Sequence, residues 1–472
     1  MKTRLLSLTL LAALTAPAGA NELRTETKSV TRPAGAATLR VEASVRWKNA
    51  WRNPRNHDAA WLIVKLRSNP RAPWMHGKLR AITAGAASPA ASCAVSADQI
   101  GAFCAPASTW RGDVSWPLVI EVEPGRLREA DIAAGAVEAM VFGVEMVYVP
   151  DGPFSIGDPD PKSVETFSFY RAGADGAHAG TLRITSEAAI PVGREAGSLY
   201  YKASQYTGDG QGPVPAEFPK GTRAFYVMKY EILQGQYATF LNSIAEYASS
   251  FRSPIGGREY HEQRGSLQLT GGHYTAASPD RPANFMSWDD GTAFADWAGL
   301  RPWTDLEFSK AARGPVEPIS ADFPWGTASK ERLLRKNQAN DELLQTGDAD
   351  ESKLTDQTRD VLGASYFWVM DLAGSVWEKV VTIGHPRGRA FLGSHGDGEI
   401  TDYGLATNAD WPLGDHEAGG YGYRGGGYYM RGSAEGPLNP HSRVEQRPYG
   451  SWGGGPRGVA YGFRAARTAD RP

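Results

Sequence analysis

The chain has 472 residues and a formal net charge of −2, too balanced to draw in nucleic acid or an anionic membrane surface by its overall field. Its 41% hydrophobic content supports a sizeable core. The 54 glycines, 31 prolines and 14 tryptophans point away from a helical bundle and toward loop-heavy structure pinned by aromatic rings.

Residues 1–20 carry the pattern of an export signal. Lys2 and Arg4 precede an apolar run from Leu5 to Ala16, and Ala18-Gly19-Ala20 is a small-residue cleavage site. The run is too short to span a bilayer, and no later stretch is long enough. The expected mature protein begins near Asn21, has no transmembrane segment, and is exported to a periplasm or the extracellular space. Cys93 and Cys104 are the only cysteines. In an exported chain they predict one local disulfide, since they lack Cys-x-x-Cys spacing and an adjacent histidine.

Residues 38–67 predict strands, with Leu39, Val41, Ala43, Val45 and Trp47 alternating onto one face. Residues 116–123 and 137–148 are further strand candidates with no helical period between them. Residues 21–143 are thus expected to form an all-β, sandwich-like domain. At Met146 the texture changes. Residues 146–158 have the pattern of a hairpin with Asp151-Gly152 at its turn, and about 159–220 looks like an insertion, with short strands near 181–190 and 197–203. Three helices are predicted next. The first covers 234–247, with Tyr237, Phe240, Leu241, Ile244 and Tyr247 on one face. The second is capped by Ser287 with Asp290 three residues on, and the third by Thr304 with Glu307. Residues 331–360 are charged and expected at the surface. The glycine-rich runs 419–427 and 450–458 open no helix and lack a following Lys-Ser or Lys-Thr, so they suit turns better than a phosphate cradle.

Residues 369–378, Val-Met-Asp-Leu-Ala-Gly-Ser-Val-Trp-Glu, hold the clearest chemical signal. Asp371 and Glu378 supply carboxylate oxygens, and Gly374 allows a tight turn between them that aims carbonyls one way. An oxygen-only, part main-chain donor set suits a hard cation such as calcium.

Seven stretches in this order resemble the sulfatase-modifying-factor family, which includes the formylglycine-generating enzyme. They are 146–158, 225–241 (FYVMKYEILQGQYATFL), 284–314, 323–326 (FPWG), 369–378, 423–427 (YRGGG) and 462–468 (GFRAART). The resemblance implies that residues 144–472 form an irregular mixed α+β fold of the C-type-lectin kind. It also implies a structural calcium bound by the side chains of Asp371 and Glu378 and the backbone of Gly374 and Val376. A second family calcium corresponds less closely to Asn340. The family's copper centre uses two cysteines just after its Gly-Gly-Ser-aromatic motif. Here that run is Gly425-Gly426-Gly427-Tyr428-Tyr429-Met430-Arg431, and no cysteine follows 104. Soft thiolates suit copper(I), so copper held by a cysteine pair is not expected. Iron has no His-x3-His-x-Glu motif to support it.

Two readings of function follow. One is a binding or otherwise non-canonical exported module for a peptide, protein or glycan, with a groove formed by Arg424, Tyr428, Tyr429, Arg431, Arg443 and Trp452, and with Arg447 nearby. The other is an oxidoreductase of the same superfamily, acting on an exported peptide or metabolite with another metal or none. Its chemistry would rest on His395, Asp397 and Glu399, either as an acid/base group or, with His416 or His441, as a metal site.

Overall fold

The computed structural model describes residues 22–334, 350–414, 419–428, 440–455 and 457–470. The export-signal stretch, Asn340, His416, Tyr429 and Arg431 lie outside the described residues.

The amino-terminal strands are β1 (Arg24–Thr31), β2 (Leu39–Arg52), β3 (Asp58–Arg67), β4 (Met75–Gly77), β5 (Leu79–Ala84), β6 (Ala91–Val95), β7 (Ala102–Pro106) and β8 (Trp110–Val122). A short helix, α1 (Glu129–Ala133), not foreseen in the sequence, precedes β9 (Glu138–Val149). Sheet order β1-β2-β8-β5 makes one layer. The β2 alternation buries Leu39, Val41, Ala43, Val45 and Trp47. These pack on Ala60, Leu62 and Val64 of β3 and Val141 of β9, in a second layer.

That second layer continues into the rest of the chain. Its order is β17-β21-β14-β9-β3-β7-β6 with β4 beside β3, where β14 is Phe225–Met228, β17 is Arg301–Pro302 and β21 is Ala465–Thr468. β9 pairs with β3 from Val147↔Asp58 to Glu138↔Arg67 on one side and with β14 on the other. The boundary expected near residue 144 therefore falls inside a central strand. β3 and β9 are buried along nearly their whole length, as strands covered on both faces must be. Trp61 of β3 donates from Nε1 to Ala298 O at 2.8 Å, and Lys65 donates to Trp297 O and Gly398 O at 2.8 and 2.6 Å.

Short strands follow: β10 (Phe154–Ile156), β11 (Tyr170–Arg171), β12 (Leu182–Ile184) and β13 (Leu199–Tyr200). The expected 146–158 hairpin is corrected. β9 pairs with β3 and β14, while β10 pairs with β12, because the wide sheet takes both edges of β9. The helix predicted over 234–247 is two helices, α2 (Gln234–Ser243) and α3 (Glu246–Arg252), broken at Ile244, which is extended at φ −103 and ψ 167. Tyr237, Phe240 and Leu241 are buried, but Tyr247 beyond the break is 57% exposed. After the hairpin β15 (Leu267–Thr270) and β16 (His273–Ala276) come α4 (Trp288–Trp297) and α5 (Asp305–Arg313). Each carries the predicted capping box, Ser287 with Asp290 and Thr304 with Glu307. α6 (Arg359–Leu362), β18 (Trp377–Val381), α7 (Pro386–Arg389), β19 (Tyr421–Arg424) and β20 (Tyr461–Gly462) complete the chain, with β19-β18-β20 forming a small sheet. The surface expectation for 331–360 is corrected in part, since Glu351 and Leu354 are buried. The described structure is mostly β with few helices.

Cys93 on β6 and Cys104 on β7 form the predicted disulfide across paired residues. Cys93→Ser with Cys104→Ser is expected to lower stability by about 2–4 kcal/mol by freeing the unfolded chain. A urea titration checks this; a midpoint unchanged from the native protein would count against it.

Candidate functional site

The 369–378 stretch is a left-handed loop leading into β18. Asp371, Gly374 and Ser375 have φ of 61°, 78° and 58°. Glycine takes this conformation freely and aspartate tolerates it, so the positions of Asp371 and Gly374 suit the turn. The Glu378 carboxylate is fully buried and meets Arg464 in a two-pronged pair, Nε to Oε2 at 2.7 Å and NH2 to Oε1 at 2.8 Å. The same guanidinium donates to Met228 O at 2.8 Å and Met370 O at 2.9 Å. Glu231 is 3.6 Å from Arg464, fully buried, and neither of its side-chain oxygens has a hydrogen-bond donor among the described residues. Burial pushes the Glu231 carboxyl well above the usual carboxylate range, and neighbouring Asp371 adds to this. Glu378 is raised by burial, with its Arg464 partner opposing. The Glu231 and Glu378 carboxylates thus face the same Arg464 guanidinium.

A second buried network holds residues 440–447 to α5. Arg447 donates to Asp305 Oδ2 at 3.0 and 2.7 Å, and Arg424 pairs with Asp305 Oδ1. Arg313, at the end of α5, joins Asp322 at 2.7 Å to Glu445 at 2.7 Å. Beside it lies a cavity of about 180 Å³, whose lining includes Asp158, Asp160, Lys162, Ser163, Asp322, Arg443 and Glu445. Glu445 Oε2 and Ser163 Oγ are buried there without a partner among the described residues. Burial raises the Glu445 carboxyl, against the pull of Arg313.

Next to these, an aromatic cluster covers the β19-β18-β20 sheet. Trp452 is 5.6 Å from Tyr423 and 5.5 Å from Tyr449, and Tyr449 is 5.6 Å from Trp377. The buried Lys379 ammonium sits 5.0 Å from both the Tyr423 and Tyr461 rings and donates to Met286 O.

The predicted site residues divide among these places. Trp452 is in the aromatic cluster and Arg443 lines the acidic cavity. Tyr428 is 5% exposed beneath the Arg264 guanidinium. Arg424, expected in a groove, is instead fully buried on Asp305, as is Arg447. His395 accepts the Thr468 N–H on Nε2 at 3.1 Å and lies 3.6 Å from Asp98 through Nδ1. Asp397 accepts the Glu399 N–H at 2.9 Å, and Glu399 takes the His76 N–H at 3.3 Å. His441 packs on Trp377 and Tyr449. The expected acid/base group is thus three side chains with separate structural partners. Among the described residues, no three His, Cys, Asp or Glu side chains converge as a metal cage.

Glu231 and Arg464 sit within recognisable stretches but have no local signal of their own. Their meeting depends on a separation of more than two hundred residues.

The family model described as "Sulfatase-modifying factor enzyme 1-like domain" matches residues 181–469, more than half of the chain. A formylglycine-generating enzyme of Thermomonospora curvata is 24% identical over 194 residues, 36% of this chain and 62% of that protein. The match thus spans less than two thirds of that relative's length.

Two outcomes test these assignments. Asp305→Ala leaves Arg424 and Arg447 buried without their counter-charge and is expected to cost about 3–5 kcal/mol in a denaturant titration. Burial and the nearby Arg467 lower the His395 imidazole from 6.5 to about 4. Its stabilising contribution is therefore present above about pH 6.5 and lost as pH falls through about 4. His395→Gln should flatten that acid limb of a melting-temperature profile, and an unaltered limb would contradict the assignment.

Proposed function

The chain belongs to the sulfatase-modifying factor enzyme 1-like family, and we propose that it is an exported member that binds a peptide or protein and does not perform cysteine–copper oxidation. One observation carries this reading. Both cysteines of the chain are joined to each other on β6 and β7, so no thiolate is left for a copper site in the family-like region.

The binding face runs from the aromatic cluster around Trp452 to the acidic cavity beside Arg443. Aromatic rings bury large area at little entropic cost. A cavity with a buried, unpartnered carboxylate oxygen favours a cationic side chain over a neutral glycan. His395, Asp397 and Glu399 have different structural partners, which favours the binding reading over an oxidoreductase that uses them. The amino-terminal sandwich, in this reading, is a platform that shares its sheet with the family-like region.

Calcium enters the same proposal. Asp371 and Glu378, with the carbonyls of Gly374 and Val376, offer oxygen donors only. Glu378 keeps further lone-pair directions while bound to Arg464. Glu231, fully buried with neither side-chain oxygen meeting a donor among the described residues, adds negative charge beside this loop that a divalent cation would offset. Bound calcium would supply fixed positive charge and hold the 371–378 loop.

Four measurements test this. A peptide of the Cys-x-Pro-x-Arg pattern incubated with the protein should yield no aldehyde by mass spectrometry, and a stoichiometric aldehyde product would overturn the thiol argument. A lysine- or arginine-bearing peptide should bind, and Glu445→Gln should weaken that binding about tenfold, by removing one buried counter-charge. Elemental analysis of the purified protein should find calcium, and a chelator should lower its melting temperature. Stoichiometric iron or copper would favour the oxidoreductase instead.

A further inference from the structure

Three side-chain atoms around the acidic cavity beside α5 have no partner. Glu445 Oε2, Gln446 Oε1 and Ser163 Oγ are buried in residues that line it, and none has a hydrogen bond among the described residues. Glu445 is 3% exposed and Ser163 8%. A buried polar atom left unpaired is costly, so three of them on one cavity mark it as shaped for a guest that supplies donors. The surrounding wall is fixed. Ser168 Oγ donates to Glu445 O at 3.0 Å, the Val444 N–H to Asp322 O at 3.0 Å, and the Arg447 N–H to Thr166 O at 3.1 Å. The backbone that carries these atoms is therefore held in place before anything binds.

The oxygens already in use limit what the guest can be. Asp158 accepts the Asp160 N–H on Oδ1 at 2.8 Å and the Ala321 N–H on Oδ2 at 2.7 Å. Arg313 holds both oxygens of Asp322. Glu445 Oε1 accepts from Arg313 at 2.7 Å and from Ser309 Oγ at 3.2 Å, and Asp160 Oδ1 accepts the Lys162 N–H at 2.9 Å. None of these carboxylates presents two unoccupied oxygens, which is what the planar fork of a guanidinium engages. Single acceptors of different kinds suit a compact ammonium, with three rotatable donors and no acceptor. The cations of the lining do not serve Glu445 Oε2. Arg443 donates to the carbonyls of Ala321 and Ala328 and lies 4.4 Å over the Phe323 ring, and Lys162 is exposed.

We infer that this cavity selects a primary ammonium over a guanidinium, with Glu445 Oε2 as the counter-charge and Gln446 Oε1 and Ser163 Oγ as the contacts that set the preference. The inference rests on the reading above, in which the cavity takes the cationic group of a bound peptide or protein. A guanidinium brings five donors in a fixed plane to a site with three unpartnered atoms. Its remaining donors stay unpaired inside the cavity, and a buried unpaired donor is what discriminates strongly between otherwise similar guests. The ammonium belongs to a lysine side chain or to the amino terminus of the bound chain. The first reaches buried acceptors on a flexible four-carbon stem, while the second carries its own backbone beside the charge.

The test is calorimetric titration of the full chain with short alanine peptides that carry one central residue and are acetylated and amidated at their ends. The central residue is lysine, arginine or acetyl-lysine. A further all-alanine peptide has a free amino terminus, so that the two sources of ammonium are read separately. The lysine peptide, the free-terminus peptide or both should bind about tenfold or more tighter than the arginine peptide, and acetyl-lysine should lose that binding. Gln446→Leu and Ser163→Ala each remove an oxygen that takes part in no hydrogen bond among the described residues. Each should narrow the gap between ammonium and guanidinium, and if one variant is unfolded by circular dichroism, the other carries the comparison. Arginine binding as tightly as either ammonium, or a preference that is unchanged in a folded variant, overturns this inference and leaves the cation pocket standing. Failure of every cationic peptide to bind overturns the cation pocket itself, and this inference with it.

Discussion

Arg464 is the interaction on which the family-like half of the structure depends. Its guanidinium binds both oxygens of Glu378 on β18 and the carbonyls of Met228 and Met370. It thereby joins the end of β14, the 369–378 loop and the small β19-β18-β20 sheet at one fully buried point. Taking such an ion out of water costs several kcal/mol, and the cost is offset only where nearly every donor finds an acceptor. The geometry meets that condition, and it holds Glu378 and Met370 on either side of the proposed calcium loop.

The same solution recurs because so much of the chain is irregular. Backbone carbonyls outside helices and sheets still need donors when buried, and a guanidinium carries five. Arg313 serves Gly157, Arg424 serves Val444 and Arg467 serves Gly299, while each also pairs with a carboxylate. Lys65, Lys310 and Lys379 donate to loop carbonyls in the same way. A chain rich in arginine and aromatics therefore uses much of that richness as internal fastening. This is why Arg424 and Arg447, which resemble ligand-binding residues in sequence, lie in the core, while Arg443 and Trp452 remain near the proposed binding face.

Elements with local physical causes were legible in the sequence. The alternation of 39–47, the capping boxes at Ser287 and Thr304, and the 93–104 disulfide each follow from residues within a dozen positions of one another. The break at Ile244 and the two-sided pairing of β9 were not legible. A helical period does not reveal a turn forced by packing, and an apolar strand does not reveal which neighbours it will find. The polar run 394–399 resembled an acid/base loop because spacing cannot show that His395 answers to Asp98 and Thr468.

The sequence by itself determined the chemical inventory: a family-like order of motifs, oxygen donors at Asp371 and Glu378, and no thiol after Cys104. It also determined the local caps and strand faces, since hydrogen bonds and burial patterns of that range are written in adjacent residues. Only the tertiary structure decided which charges share one dry interior. Glu145 meets Lys229, Asp305 meets Arg447, and Glu378 meets Arg464 across separations of 84, 142 and 86 positions. Burial makes each of those meetings consequential, because a charge that water would screen at the surface must find its partner inside.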